Sequence, residues 1–411
     1  MMAGPSYLEP GTATSAELRD RFQPIFDRIA EGNVARERDR EFPRDQVRWL
    51  NEAGFGTIRI PQSRGGFGAT LEQTFELLSD LAVADPNVSH IWRNHLAFVE
   101  DRLNADVSDT NDRWIKRFLH GEFVGGGWTE ANSVTLANMV TTVIARGDHW
   151  VVTGSKYYAT GSFYADWLDV LGRDEHGELL TALVRADDPG VTLLDDWRGF
   201  GQRTTASGSA RYDGVRAERG DVFPAVERFS YQAHFYQMAM LSVLTGIARA
   251  ALRGGSTALT DRARNYPQGL AERPADDVQL LQVIGEVAAE AFAAQSALAR
   301  AAQSLDAVAV GRIAGESATA RARLIDAEIA VSQAQLVIIA SALQATTAIF
   351  DALGASGVSE GLALDRHWRN ARTLASHNPR VYKARIIGDW LINGKDPVPD
   401  LVARHRGGQG V

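Results

Sequence analysis

Histidine, arginine and hydroxyl side chains must carry any chemistry this chain performs, because its 411 residues include no cysteine. That absence removes disulfides, thiolate metal sites and thiol nucleophiles together. Nine histidines are present, and an imidazole titrates near neutrality, so it can donate a hydrogen bond or take up a proton. No pair of histidines and carboxylates stands at metal-ligand spacing on one helix, so no metal site is expected. Polar and aromatic residues gather in a few stretches: Asn94-His95-Leu96, Trp128-Thr129-Glu130-Ala131-Asn132-Ser133, Gly154-Ser155-Lys156-Tyr157-Tyr158-Ala159-Thr160-Gly161 and Gly201-Gln202-Arg203-Thr204-Thr205-Ala206-Ser207-Gly208. Arg264 and Arg369 offer guanidinium forks that suit phosphate oxygens, with surface ion pairing as the plain alternative. Gly65-Gly66-Phe67-Gly68 neither follows a strand nor opens a helix, so no nicotinamide dinucleotide site is expected.

Positioning these groups requires a folded body, and 45% hydrophobic with 23% charged residues is the balance of a soluble globular protein. A net charge of -8 with scattered Lys and Arg argues against nucleic-acid binding. No basic-then-apolar leader and no uninterrupted apolar run of membrane-spanning length is visible, so a cytoplasmic location is expected. Residues 1–121 read as a helical domain, with apolar spacing of three or four near 15–29, 71–83, 89–103 and 109–119. Between Glu52 and Thr70 the glycines mark a connector. Residues 122–224 switch to period two, with hairpin turns at Arg146-Gly147-Asp148 and Asp174-Glu175-His176-Gly177, which predicts an antiparallel sheet or barrel. Residues 225–411 return to long helical runs, Ala-rich near 288–302 and 327–348, and predict a four-helix bundle that continues across a subunit interface. The fold class is therefore α+β, mostly α.

Helices, then a β-domain, then a bundle, together with the four stretches above, resemble the acyl-CoA dehydrogenase superfamily. Leu353-Gly354-Ala355-Ser356-Gly357 and Asp365-Arg366-His367-Trp368-Arg369-Asn370-Ala371-Arg372 are similar to its glycine turn and arginine helix. The resemblance implies a flavin at the β-domain. Tyr158 would stack on the isoalloxazine, the Thr160 hydroxyl would meet a flavin acceptor atom, and Trp128, Thr129 and Trp197 would border the ring or substrate. Asn132 and Ser133 would reach the phosphate or ribityl chain, while Arg264 and Arg369 would approach the phosphate, in part across subunits. For the aromatic residues, ordinary β-domain packing is the competing reading.

Dehydrogenases of the family place a glutamate just after the arginine helix as the base, and counting along this chain puts Asn378 there. Losing a positioned base costs on the order of 100- to 10,000-fold. His377 beside it resembles the histidine of the flavin monooxygenase branch that contains dibenzothiophene monooxygenase and related two-component hydroxylases. Asn94-His95-Leu96 is similar to that branch's N-terminal active-site histidine, and Asp195-Asp196-Trp197 to a tryptophan segment. Leu374 stands where the branch has a further histidine, and Thr160 where it has a serine.

The branch implies reduced FMN or FAD, O2, a C4a-hydroperoxyflavin kept dry, and a separate NAD(P)H:flavin reductase. His95, His377 and Thr160 are then the catalytic candidates; satisfying backbone groups is the alternative for both histidines. The expected activity is hydroxylation or sulfoxidation of a small apolar or aromatic molecule by a homotetramer or dimer. An acyl-CoA dehydrogenase with a displaced base, an amine N-hydroxylase or nitroso-forming enzyme, and a flavin-free scaffold are the rivals.

Overall fold

A computed structural model describes residues 7–130, 139–225 and 228–398. Asn132 and Ser133 lie outside the described residues.

Six helices come first: α1 (Ser15–Ala30), α2 (Asn33–Asp39), α3 (Arg44–Glu52), α4 (Leu71–Ala84), α5 (Pro86–Asn104) and α6 (Asp109–Leu119). Local chemistry sets their starts. Thr14 with Glu17 and Thr70 with Gln73 form capping boxes on α1 and α4, and Asp85 caps α5 ahead of Pro86 in its first turn. α5 is the central member of this layer, buried along nearly its whole length.

The β-domain holds β1 (Val124–Gly127), β2 (Thr142–Arg146), β3 (His149–Lys156), β4 (Trp167–Arg173), β5 (Leu179–Arg185), β6 (Val191–Leu193), β7 (Ala210–Glu218) and β8 (Val222–Pro224). They pair in the order β6-β7-β3-β2-β4-β5-β8, with β1 on β4. Both expected hairpins form, β2 with β3 and β4 with β5, and left-handed Gly147 and Gly177 close their turns. The pairing is not wholly antiparallel, since β4 runs parallel to β1 and touches β2 in the same sense.

The last part comprises α7 (Gln232–Asp261), α8 (Val278–Ile313), α9 (Ser317–Leu353), α10 (Asp365–Ala375) and α11 (Val381–Asn393). Three arms of the bundle are long. The fourth is split into α10 and α11, because Pro379 cannot continue a helix through Ser376-His377-Asn378. α7 and the helical stretch Ala318–Val358 that includes α9 also meet the length and hydropathy of a membrane span, contrary to the expectation from uninterrupted apolar runs; their polar interruptions are mostly uncharged, so Ala, Leu, Ile and Val keep the mean hydropathy at 1.3 and 1.8. For α7 the reason is core burial, with 83% of its apolar window inside the protein.

One hydrophobic core runs from Phe22, Phe26 and Phe55 through Trp92 and α7 to Leu298 and Ile338. The N-terminal helices thus share their core with the bundle. The connector is held to α5 by a buried ion pair, Arg59 Nε to Glu100 Oε2 at 2.8 Å, with the Tyr231 hydroxyl donating to the same carboxylate at 2.5 Å. Arg59→Met would strand Glu100, which is fully buried, and should destabilise the protein by about 3–5 kcal/mol. Urea unfolding checks this; a loss below about 1 kcal/mol would show that the pair holds nothing in place.

Candidate active site

Residues of α5 advance about 100° apiece, so His90, Arg93 and Asn94 share one face while His95 lies about 140° from His90. The structure follows that division. His95 donates from Nε2 to the Gly56 carbonyl at 3.1 Å and accepts at Nδ1 from the Val124 N–H at 3.2 Å. Its ring stacks on Phe123 at 4.9 Å and meets Trp92 and Phe118 edge-on. Burial pushes it down to about 4, so it is neutral. Both nitrogens are therefore committed to backbone groups, as ordinary packing of a histidine would have them.

His90 occupies the face that turns toward the β-domain and α10. Its Nδ1 lies 3.0 Å from Gln202 Oε1, so the proton sits on Nδ1, and its buried Nε2 has no partner among the described residues. Burial first, then Arg93 and His377, push its pKa down to about 3. Gln202 is fixed in turn by Asn370 of α10, whose Oδ1 accepts from the Gln202 N–H at 2.5 Å and from Nε2 at 3.2 Å. From the Gln202 carbonyl a hydroxyl chain continues through Thr205 (2.9 Å) and Ser207 (2.7 Å) to Thr160 (2.8 Å). Asn94 Nδ2 closes the loop on the Thr160 carbonyl at 3.0 Å. Thr160 is thus brought to the His90 face and not to His95.

Backbone strain gathers at the same corner. Tyr158, Gln202 and Ala206 all have left-handed φ, of 60°, 52° and 53°, a conformation costing about 1–2 kcal/mol for an L-residue. Tyr158 stays half exposed, with its ring 4.7 Å from Tyr157 and 5.8 Å from Trp197. Trp197 donates to the Gly201 carbonyl at 3.2 Å.

His377 stands in the turn between α10 and α11, where Arg93 Nη1 approaches its Nε2 at 3.4 Å. The ring is solvent-accessible, and the surrounding protein and Arg93 hold its pKa below the ordinary value. The Arg93 guanidinium lies 4.9 Å over the Tyr236 ring, which in turn lies 6.1 Å from Trp128. Trp128 donates to Asp169 at 2.9 Å. Asn378 donates to Gln237 at 2.7 Å, and its carbonyl accepts from Gln335 at 2.9 Å. No carboxylate of α7 precedes Asp261, and those of α5, Glu100 and Asp101, pair with Arg59 and Arg102.

Other sequence candidates fall at the margins. Thr129 is exposed and accepts from the Tyr157 N–H at 2.8 Å. Next to it Glu130 binds Lys156 at 2.9 Å; burial opposes its charge, but that ammonium and the Val140 and Thr141 N–H groups hold it at about 2, so it is no base. Arg369 spans Asp365 (2.8 Å), Glu37 (3.2 Å) and the Phe200 carbonyl (3.1 Å), pinning α10 to α2 and the 200-loop. Arg264 is exposed in the loop after α7 and is not gathered with Tyr158 and Thr160. From sequence His90 reads as ordinary packing, Asn94, Gln202 and Asn370 stand inside motifs without a site role of their own, and Arg93 goes unmarked. A helical wheel of α5 carried the signal, since polar residues recur at 90, 93 and 94 while His95 falls among Ile91, Trp92 and Phe98.

Comparison with known proteins adds to this geometry. Residues 125–215 match the model of the acyl-CoA dehydrogenase middle domain, and residues 238–380 that of the acyl-CoA dehydrogenase C-terminal domain. A probable FMNH2-dependent monooxygenase of Pseudomonas putida is 27% identical over 407 residues, covering 95% of this chain and 97% of that one. Dibenzothiophene monooxygenase of Rhodococcus qingshengii is 26% identical over 380 residues, 86% of this chain and 88% of the other. The FMN-bound structure of TdsC from Paenibacillus, 23% identical, covers 93% of this chain and 99% of its own with a TM-score of 0.84, a likeness of fold.

Proposed function

The chain belongs to the acyl-CoA dehydrogenase superfamily, in its flavin-dependent monooxygenase branch, and from that premise we propose that the seam between α5, the β-domain and α10 oxygenates a small, largely apolar or aromatic molecule. The observation that carries the reading is the pair of imidazoles, His90 and His377, in a recess where Asn378 replaces a carboxylate. A dehydrogenase needs a base to take an α-proton; an oxygenating site needs hydrogen-bonding groups that stay neutral and shed water.

The residues present fit a flavin. The strained, half-exposed Tyr158 offers a ring face, and the orphaned His90 Nε2 offers a buried acceptor. Reduced flavin, when bound, supplies the electrons that activate O2. The chain does the rest: Tyr158 and Trp197 orient the ring, and Trp128 and Tyr236 give the substrate an apolar wall. His90 Nε2 accepts a hydrogen bond from an N–H or O–H presented in the seam, while His377 guards the mouth. Asn132 and Ser133 remain proposed contacts for the ribityl chain or phosphate. The missing dinucleotide fingerprint supports a separate flavin reductase as donor, and FMN is the favoured cofactor because a full-length relative is named FMNH2-dependent.

Exposed Phe292 on α8 and Val381, Tyr382, Leu391 and Ile392 on α11 support burial between copies of the chain in a homotetramer or dimer. Arg264 would then serve a neighbouring subunit's cofactor. The test mixes the protein with FMNH2 or FADH2 and then with 18O2 in the presence of aryl sulfides and indole. We expect oxidised-flavin absorbance to return far more slowly than for free flavin, and 18O to enter a product. Reoxidation at the free-flavin rate with both cofactors, or bleaching of bound FAD by an acyl-CoA, overturns the proposal.

A further inference from the structure

Buried arginines in this protein come with carboxylates. Arg36 meets Asp85 at 3.1 Å, Arg59 meets Glu100 at 2.8 Å, Arg102 meets Asp101 at 2.6 Å, and Arg228 meets Asp169 at 2.8 Å. That is the expected arrangement, because a guanidinium out of water is costly unless its charge and donors are matched. Arg93 breaks it. Its polar contact among the described residues is the neutral His377 ring at 3.4 Å, its Nε is buried without a partner, and its plane lies over Tyr236.

A second unpartnered group lies near Arg93 on the same helix. His90, one turn before Asn94, is 6% exposed, and its Nε2 has no partner. The two groups differ in kind: the guanidinium offers only donors, the imidazole nitrogen only a lone pair. An oxyanion satisfies the first, and the substrate or cofactor atom beside it the second.

We infer that the substrate carries an oxyanion head, a carboxylate or sulfo-type group, and that Arg93 binds it at the mouth of the seam beside His377, while Trp128 and Tyr236 hold the apolar body. The planar fork of Arg matches two anionic oxygens at once, which a lysine could not do. The inference rests on the seam being the substrate pocket of the monooxygenase proposed above. It narrows the substrate from any apolar or aromatic molecule to one with an anionic end.

The test uses FMN-saturated full-length protein and matched probes: benzoate against benzamide, and methanesulfonate against dimethyl sulfone, each titrated by calorimetry. At least one anion should bind in preference to its neutral partner. Arg93→Gln should weaken that anion roughly 10- to 100-fold and leave the neutral probe unchanged, and Arg93→Lys should fall between. Equal affinity within both pairs, or no binding by any probe, overturns the inference. So does an Arg93→Gln protein that keeps the anion preference but loses FMNH2, since the guanidinium would then serve the cofactor. If wild type prefers the anion yet incorporates no 18O, the oxygenase reading fails while the anion site stands.

Discussion

His90→Ala should lower oxygenated product by roughly 100- to 1,000-fold and send most reduced flavin to hydrogen peroxide, with the fold intact. The imidazole is held at Nδ1 by Gln202, so truncation removes a buried, unpartnered acceptor. It also admits water where water is harmful. Because burial and the neighbouring Arg93 push His90 down to about 3, its protonation state does not change across pH 5.5–8.5, and the ratio of product to peroxide should be flat there. A break near pH 6.5 would mean that an ordinary imidazole governs coupling. The linkage has the opposite feel for stability: His90 and His95 are lowered in the folded state, so the unfolded chain binds more protons between about 6.5 and 4, and stability falls as pH drops through that window. His95→Gln is the control. It forfeits the Gly56 and Val124 hydrogen bonds and should lower stability by about 1–3 kcal/mol, while the folded fraction keeps near-normal coupling.

The comparison of these two histidines shows what a linear sequence conveys. Element order and period were legible: helices before Gly121, both hairpins, and the long runs after Pro224 follow from spacing and turn residues. The chemistry of the fork was legible too, because Asn378 in place of a base is a statement about residue type. Position on a face was not. Asn94-His95-Leu96 matched a local pattern, yet a shift of one residue on a helix turns a side chain by about 100°, and the burial of Trp92 and Phe118 draws His95 into the core. Gln202 and Asn370 lie 168 residues apart, so their joint hold on His90 exists only once α10 docks on the β-domain. Arg369 read as a phosphate ligand from its type, but docking gives it Glu37 and the Phe200 carbonyl. The break of the fourth bundle arm was written in Pro379, and it places His377 in a turn that opens on the recess rather than on a helix face.

That docking makes Gly201 the position where the smallest change should do the most damage. A Cβ built there would stand 2.2 Å from the Arg369 carbonyl oxygen and 2.6 Å from Thr373 Oγ1, and helix backbone cannot retreat as a flexible side chain can. Gly201→Ala must therefore push the 201–208 loop off α10. Gln202 would lose both hydrogen bonds to Asn370, His90 would lose the partner that fixes its tautomer, and the hydroxyl chain would be drawn away from Thr160 at its Ser207 link. The strain of overpacking one methyl is about 1–3 kcal/mol, a loss the fold survives, whereas a misplaced reacting geometry costs about 100-fold. We expect product formation to fall on that order and peroxide release to rise, with a modest drop in Tm. Gly285→Ala on α8, where an added Cβ meets nothing within 4 Å, should leave coupling unchanged and stability equal or higher. If Gly201→Ala lowers Tm but leaves the product-to-peroxide ratio at the wild-type value, the orientation of His90 does not depend on the contact between the 200-loop and α10.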